Sequence, residues 1–145
     1  MFPPPAALVC SPSADDRECL STVLTQLGVE TICAASFEEG LALADADRLL
    51  LVLLDIEAHT KWEVALKEFQ YSVPGVPVVI CARLPDTMVW LDALEAGAFD
   101  FVCRPFSGPE LRWILESALK SHPLESLRKA VSSEGRPALA LSAHR

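Results

Sequence analysis

An unbroken run of six apolar residues, Leu49–Leu54, ends directly at a carboxylate, Asp55. A run this short, bounded by polar residues, is typical of a strand that is buried on both faces of a parallel sheet. Open parallel α/β sheets bind their ligands at the carboxyl ends of the strands. We therefore expect Asp55 to lie at such a site as a nucleophile or an ion ligand. The alternative is that Asp55 only caps the following loop or helix.

Strand-like and helix-like patterns alternate five times along the chain. The predicted strands are 6–10, 29–34, 49–54, 77–81 and 99–103. The predicted helices run from Ser13 to the stop at Gly28, from Ser36 to about Ala46, over 61–70, over 86–95, and from Ser107 to about Lys120. Ser13 and Ser36 are each followed three residues later by a carboxylate, which is the spacing of a capping box at a helix start.

This alternation predicts an α/β fold with helices on both faces of a doubly wound, five-stranded parallel sheet. Right-handed crossovers with one reversal of winding give the strand order 2-1-3-4-5, the flavodoxin-like arrangement. Glu30 and Thr31 interrupt the second strand, as suits a strand at the sheet edge. The switch point falls between strands one and three, which places Asp55 at the crevice where such folds bind.

The charge is unevenly distributed over the 145 residues, whose net charge is −8. Residues 1–120 carry 8 basic and 18 acidic side chains, a balance of −10, whereas residues 121–145 carry 4 basic and 2 acidic ones, a balance of +2. An acidic body argues against direct nucleic-acid binding, because phosphate contacts need Lys and Arg. No apolar stretch has the length of a membrane span, and the N-terminus lacks a secretory signal. We expect a cytoplasmic protein.

Two segments are predicted, a folded domain over 1–122 and a C-terminal tail or linker over 123–145. Within the tail, Leu124, Leu127 and Val131 have the spacing of one short amphipathic helix. The tail is either a frayed end, a joint to an output domain or a docking peptide.

Five cysteines occur, at positions 10, 19, 33, 81 and 103, and no Cys-x-x-Cys pair is present. An odd number without paired spacing indicates neither a disulfide framework nor a zinc site. Cys10, Cys33, Cys81 and Cys103 fall in strand-like runs, so we expect them to be buried as small hydrophobic residues. A second interpretation is that Cys81, if close to Arg104, has a lowered pKa and is redox-reactive.

Three sequence features together resemble the receiver domain of two-component response regulators (CheY-like). They are Leu-Leu-Asp55 at the end of strand three, Arg104-Pro105-Phe106 after strand five, and the segment Ala93-Leu94-Glu95-Ala96-Gly97-Ala98-Phe99-Asp100-Phe101. That segment matches the family's A-x-x-A-G-A-x-D-[YF] pattern. The resemblance covers residues 6–120 and implies a non-enzymatic role in phosphorelay signal transduction.

The resemblance assigns roles to individual positions. It makes Asp55 the phosphoacceptor and Phe101 the switch aromatic. The phosphate-contacting Lys of the family is Arg104 here, which retains the charge but is longer and planar. It would either clamp a phosphoryl oxygen or lock Asp55 in a permanent ion pair. The phosphate-contacting Thr or Ser is Cys81, whose thiol is a weak hydrogen-bond donor.

The family's Mg²⁺ site is the feature from which this sequence departs most. The acidic pair that holds the ion falls on Ser11 and Pro12, so the resemblance implies an atypical, degenerate member. Asp15, Asp16, Glu57 and Asp55 itself are the remaining candidate metal ligands. For Asp15 and Asp16 we favour the alternative that they stabilise the N-terminus of the first helix.

Three functional hypotheses follow. The first is a phosphorylatable switch that receives its phosphoryl group from a histidine kinase or phosphotransfer protein. The second is a phosphorylation-independent pseudo-receiver that binds a downstream protein, or a second copy of itself, through helix four, strand five and helix five. Trp90 and Trp113 are its candidate contacts. The third, a small flavin-type enzyme, is disfavoured because no Gly-rich phosphate loop follows strand one.

Overall fold

The computed structural model describes residues 4–121, which form the five predicted strand–helix units. The strands are β1 (Ala6–Cys10), β2 (Glu30–Ala34), β3 (Leu49–Asp55), β4 (Val78–Ala82) and β5 (Asp100–Cys103). The helices are α1 (Ala14–Gln26), α2 (Phe37–Leu43), α3 (Trp62–Ser72), α4 (Thr87–Glu95) and α5 (Gly108–Ser121). The predicted tail, 123–145, lies outside the described residues, so its separation from the folded domain stays a prediction.

All five strands are parallel and follow the order β2-β1-β3-β4-β5, which confirms the predicted topology. Every residue of β1 and β3 is buried, as their uninterrupted apolar sequences indicate. Strand β2 lies at an edge and leaves Glu30 and Cys33 exposed. The register pairs Cys10 with Leu54 and Asp55 with Cys81, so three strands end side by side.

The sheet separates two apolar layers. On one face, α2, α3 and α4 pack through Phe37, Phe69 and Ala93. On the other face, α1 and α5 pack through Leu20 and Ile114. Alternate residues of β1 point to opposite layers, which is the period of a strand. This arrangement leaves the carboxyl edge of the sheet free for a site.

Helix ends follow the predicted capping residues. The Ser13 hydroxyl accepts a hydrogen bond from Asp16 N at 3.1 Å, and Ser36 accepts one from Glu39 N at 3.1 Å. Helix α2 nevertheless ends at Leu43, short of the predicted Ala46. The reason is local: Ala44 adopts an extended conformation, and the Asp45 carboxylate accepts from Asp47 N at 2.9 Å to form the turn into β3.

The burial predicted for the strand cysteines is only half correct. Cys10 and Cys81 are buried, but Cys33 is exposed and Cys103 is partly exposed. Both corrections have the same cause, because β2 and β5 are the edge strands of the sheet and their residues have neighbours on fewer sides. Separately, no helix within residues 4–121 is long and apolar enough to cross a membrane.

Candidate functional site

The ends of β1, β3 and β4 meet the start of α1 and the loop after β5 around a narrow cleft. Its polar walls are Ser11, Asp16 and Asp55, and Cys81 and Phe106 close it. Ser11 directly follows β1, and Asp55 is the last residue of β3. The cleft has no space for a water molecule. The sequence therefore brings the predicted Asp55, Ser11 and Cys81 together, in a pocket filled by the protein itself.

Both carboxylate oxygens of Asp55 accept hydrogen bonds from within the protein. The Ser11 hydroxyl donates to Oδ2 at 2.7 Å, and the Glu57 backbone N–H donates to Oδ1 at 2.8 Å. Ser11 is itself held in place, because its Oγ accepts from Ser13 N at 3.1 Å and its carbonyl accepts from Arg17 Nη1 at 2.8 Å. The position predicted as half of a lost acidic pair thus supplies a fixed donor to the predicted phosphoacceptor.

Burial raises the pKa of Asp55 above the ordinary value of an aspartate. The hydrogen bonds from Glu57 N and from Ser11 oppose that shift, since both favour the charged form of the carboxyl. The negative charges of Glu57 and Asp16 add to the upward shift of the Asp55 pKa. The pocket therefore disfavours further negative charge at Asp55.

Arg104 forms its ion pair with Asp16. Its Nε donates to Asp16 Oδ1 at 2.7 Å, and the side chain of Asp16 is only 11% exposed. Asp15 is exposed, because consecutive residues of a helix point about 100° apart. The ion pair between Arg104 and Asp55 that the sequence suggested is therefore replaced by one to the first turn of α1. The peptide bond between Arg104 and Pro105 is cis.

Cys81 lies beside Asp55 in the sheet and is buried. Burial raises the pKa of its thiol well above the ordinary value, and the negative charges of Asp55 and Asp16 raise it further. The lowered pKa considered for Cys81 is therefore wrong, because burial and neighbouring carboxylates oppose the thiolate. Burial likewise raises the pKa of Cys10 to about 12.

The residues at the family's metal position do not fit a Mg²⁺ site. Ser11 donates its hydroxyl to Asp55, and Pro12 is exposed and has no side-chain ligand. The carboxylate of Asp16 is paired with Arg104, and Oε1 of the exposed Glu57 lies 3.8 Å from Nη2 of Arg83, so each of these carboxylates already has a cationic neighbour. Within the part of the chain that the structure describes, no group of three or more His, Cys, Asp or Glu side chains is arranged to hold a metal.

A second candidate surface lies between α4, β5 and α5. It is a cleft of about 590 Å³ whose walls include Trp90, Leu94, Phe99, Phe101 and Trp113. The predicted switch aromatic, Phe101, is buried at 9% exposure. Of the two tryptophans predicted as contacts, Trp90 is exposed and Trp113 is partly buried.

Sequence reasoning overlooked three further apolar side chains near this cleft, Leu84, Met88 and Leu91, which are all exposed. The available signal was helix α4 itself, whose sequence TMVWLDALE is apolar on every side although it packs on the sheet along one face.

The chain is similar to known regulatory proteins and to solved receiver domains, although no protein-family model matches it. The regulatory protein AtoC of Escherichia coli (strain K12) is 33% identical over 116 residues, which are 79% of this chain and 24% of AtoC. The probable transcriptional regulator ycf27 of Porphyridium aerugineum is 30% identical over 113 residues, which are 78% of this chain and 47% of that protein. The chain thus spans less than half the length of these curated relatives.

The solved structures that this chain resembles are also receiver domains. The receiver domain of NtrX from Brucella abortus matches with a TM-score of 0.71 at 28% identity, over 79% of this chain and 98% of that one. A response regulator receiver domain protein from Clostridium thermocellum matches with a TM-score of 0.73 at 21% identity, over 80% of this chain and 94% of that one. The second likeness concerns the fold alone.

Proposed function

The chain belongs to the receiver-domain family of two-component response regulators, and on that premise we propose that it acts as a pseudo-receiver. In this proposal the Asp55 pocket is held closed by protein side chains, and the domain signals by binding a protein partner without needing Mg²⁺-dependent phosphorylation. Receiver domains are generally non-enzymatic signalling modules, and response regulators interact with histidine kinases and downstream effectors.

The observation that carries the proposal is the hydrogen bond from Ser11 to Asp55 inside a cleft without room for water. Phosphoryl transfer to a carboxylate depends on cations that offset the charge of the phosphoryl oxygens. Here the pocket contains two carboxylates, Asp16 and Asp55, and the nearby guanidinium of Arg104 is already paired with Asp16. A phosphoryl group on Asp55 would add negative charge where the compensating cation is engaged.

The proposed partner surface is the α4–β5–α5 face. Its cleft and the exposed Trp90 supply apolar area, which is enriched at the centres of protein interfaces. A downstream protein or a second copy of this domain would bind there. Because the Asp55 pocket is closed by side chains of the same chain, binding at this face would be constitutive.

Phosphorylation of Asp55 by a histidine kinase or phosphotransfer protein is the second candidate function. The observation that favours it is the retention of Asp55 at the carboxyl end of β3, with Arg104 in a neighbouring loop. In this alternative the guanidinium of Arg104 would leave Asp16 and bind the phosphoryl oxygens. Its planar group can donate two parallel hydrogen bonds to such oxygens.

Intact mass after incubation with acetyl phosphate and Mg²⁺ distinguishes the two candidates, with Asp55→Asn as the control. The pseudo-receiver predicts no added phosphoryl group in the folded native chain. It also predicts a gain when Ser11→Asp, Pro12→Asp and Cys81→Thr are combined, because these changes restore the family's metal and phosphate ligands. A phosphoryl group on the native chain that is absent from Asp55→Asn would refute the pseudo-receiver and establish the switch.

A kinase-dependent switch needs a separate test, since acetyl phosphate does not replace a protein donor in every case. Incubation of the native chain with a phosphorylated histidine phosphotransfer domain gives that test. Transfer to the native chain, and none to Asp55→Asn, would also reject the proposal.

A further inference from the structure

The cleft between α4 and α5 combines aromatic walls with negative charge. Four aromatic side chains line it, from α4, from α5 and from the chain at β5: Trp90, Phe99, Phe101 and Trp113. Two carboxylates, Asp86 and Asp100, also line it, and none of its walls within residues 4–121 is formed by Lys or Arg. Aromatic faces and carboxylates both attract cations, so this cleft favours a positively charged occupant.

The two carboxylates lie at different depths. Asp100 is buried, and its Oδ1 accepts a hydrogen bond from Phe101 N at 2.7 Å, which fixes the side chain in place. Asp86 is exposed and caps α4, where its Oδ1 accepts from Met88 N at 3.0 Å. One negative charge is therefore buried beside the rings, and the other lies at the border with solvent.

The aromatic side chains select among cations. Trp90 is exposed and Trp113 is partly buried, so both offer indole surface to an occupant of the cleft. Tryptophan binds cations more strongly than the other aromatic residues do. A guanidinium group is planar and weakly hydrated, so it stacks on such rings at a lower cost in lost hydration than the compact ammonium group of Lys. The chemistry of the walls therefore favours the side chain of Arg.

The surroundings of the cleft indicate that this Arg belongs to a protein. Its volume of about 590 Å³ is larger than one guanidinium group needs. Among the described residues, eight large hydrophobic side chains are exposed, and five of them lie within 84–94: Leu84, Met88, Trp90, Leu91 and Leu94. Such a concentration of exposed apolar area is typical of a protein-binding surface. The matching partner segment has apolar residues next to its Arg.

The charge of this surface argues against a second copy of the chain and against nucleic acid. Residues 84–100 contain four acidic residues and no Lys or Arg. A symmetric dimer formed through this face would place these acids opposite each other, and like charges across an interface oppose binding. The phosphates of a nucleic acid would be repelled for the same reason.

We propose that the cleft between α4 and α5 binds an Arg side chain of a partner protein, with its guanidinium against Trp90 and Trp113 and near the carboxylates of Asp86 and Asp100. Apolar residues beside that Arg contact the exposed side chains of α4. This inference rests on the proposed function, in which the α4–β5–α5 face is the partner surface, and it specifies the partner's chemistry. Binding at the cleft requires no phosphoryl group on Asp55.

The test compares two tripeptides that differ only in charge, acetyl-Leu-Arg-Leu-amide and acetyl-Leu-citrulline-Leu-amide. Each is titrated into the full chain without Mg²⁺ or a phosphoryl donor, and the indole N–H signals are followed by NMR. The arginine peptide should shift the signals of Trp90 and Trp113. Trp62, at the start of α3 and outside the cleft, is the internal control and should not shift. The citrulline peptide should bind about tenfold more weakly.

Trp90→Leu tests the contribution of the aromatic ring. Leucine retains an apolar side chain at position 90, so the ratio of the two peptide affinities should fall toward one while the leucines of the peptides can still bind. Because the ratio is measured within one variant, it is independent of any general loss of affinity or stability. A ratio that remains at its native value would overturn the proposal.

A charge-matched pair tests the acidic border. Asp86→Asn keeps a side-chain oxygen that can cap α4, and it should weaken binding of the arginine peptide about threefold. Asp47→Asn removes the same charge from an exposed residue before β3, outside the cleft, and should leave that binding unchanged. Equal effects of these two variants would overturn the proposal.

Three further results would also overturn it. The first is equal binding of the arginine and citrulline peptides to the native chain. The second is the absence of any shift at Trp90 and Trp113. The third is a shift of these signals that grows with protein concentration in the absence of peptide, because it would place a second copy in the cleft.

The outcome is separable from the phosphorylation tests. Asp55→Asn should bind the arginine peptide as tightly as the native chain does. If the native chain accepts a phosphoryl group and still prefers the arginine peptide, the pseudo-receiver fails and the recognition of Arg stands. If the native chain accepts no phosphoryl group and shows no preference, the recognition of Arg alone fails.

Discussion

Removing the Ser11 hydroxyl should destabilise the fold by an amount that depends on the charge of Asp55. The hydroxyl donates to Asp55 Oδ2 at 2.7 Å, and both residues are buried. A hydrogen bond to a charged group contributes about 1.5–3 kcal/mol to stability, against about 0.5–1.5 kcal/mol for a neutral pair. We therefore expect Ser11→Ala to lower the free energy of unfolding by about 1.5–3 kcal/mol at neutral pH.

The assay is a double-mutant cycle followed by urea unfolding at pH 7. An Asn amide at position 55 can retain both neighbours, accepting from Glu57 N and donating to Ser11 Oγ. In the Asp55→Asn background, Ser11→Ala should then cost only about 0.5–1.5 kcal/mol. Ser11→Ala also removes the acceptor for Ser13 N, but this loss is common to both backgrounds and cancels.

A pH series adds an independent check on the same bond. As the pH falls through the raised pKa of Asp55, the carboxyl becomes neutral, and the cost of Ser11→Ala should shrink toward its value in Asp55→Asn. Two outcomes would refute the reasoning. One is a cost that agrees within about 0.5 kcal/mol between the two backgrounds at pH 7, the range of simple additivity. The other is a cost that does not change with pH.

Three further measurements test other parts of the structure. Because burial raises the pKa of Asp55, the folded state holds this proton more tightly than the unfolded state, and stability is lost as the pH rises through the folded pKa. Asp55→Asn should therefore stabilise the fold at neutral pH, and denaturation curves should show this gain disappearing in acid. Gly40→Ala places a Cβ 2.9 Å from the Sγ of the buried Cys10 and should lower the free energy of unfolding by about 1–3 kcal/mol. Gly108→Ala is the control, because a Cβ there meets no atom within 4 Å and should leave the free energy of unfolding unchanged in the same assay. A thiol reagent followed by mass spectrometry should modify the exposed Cys19 in the native state and leave the buried Cys81, whose pKa is raised, unmodified until unfolding.

The topology was predictable because each element carries its own local signal. The apolar run before Asp55 marks a central strand, and Glu30 and Thr31 mark an edge strand. The end of α2 was predicted too late, because the turn at Asp45 depends on a side chain that competes with the helix for backbone hydrogen bonds. The exposure of Cys33 was missed for a different reason, since a strand-like run alone does not tell how an edge residue is covered.

The sequence predicted which residues lie at the site, but only some of the contacts between them. Asp55, Ser11 and Cys81 follow from the strand ends, which any parallel sheet of this order brings together. The pairing of Arg104 with Asp16 depends on which residue of the first helical turn points inward, and adjacent carboxylates at positions 15 and 16 leave that choice to the three-dimensional packing. The same limit applies to the rotamer that aims the Ser11 hydroxyl at Asp55.

The altered residues of the pocket form one coupled set. A buried carboxylate needs donors or a cation nearby, and Asp55 receives a hydroxyl and a backbone N–H while Asp16 receives the guanidinium of Arg104. Replacing Ser11 alone by an acid would add a third carboxylate to a pocket that holds one guanidinium, and the added charge would need an external cation. Replacing Arg104 alone by Lys would leave the hydroxyl of Ser11 on Asp55. On the proposed function, Mg²⁺-dependent phosphorylation of Asp55 would therefore require several simultaneous changes, because each present side chain compensates for the absence of another.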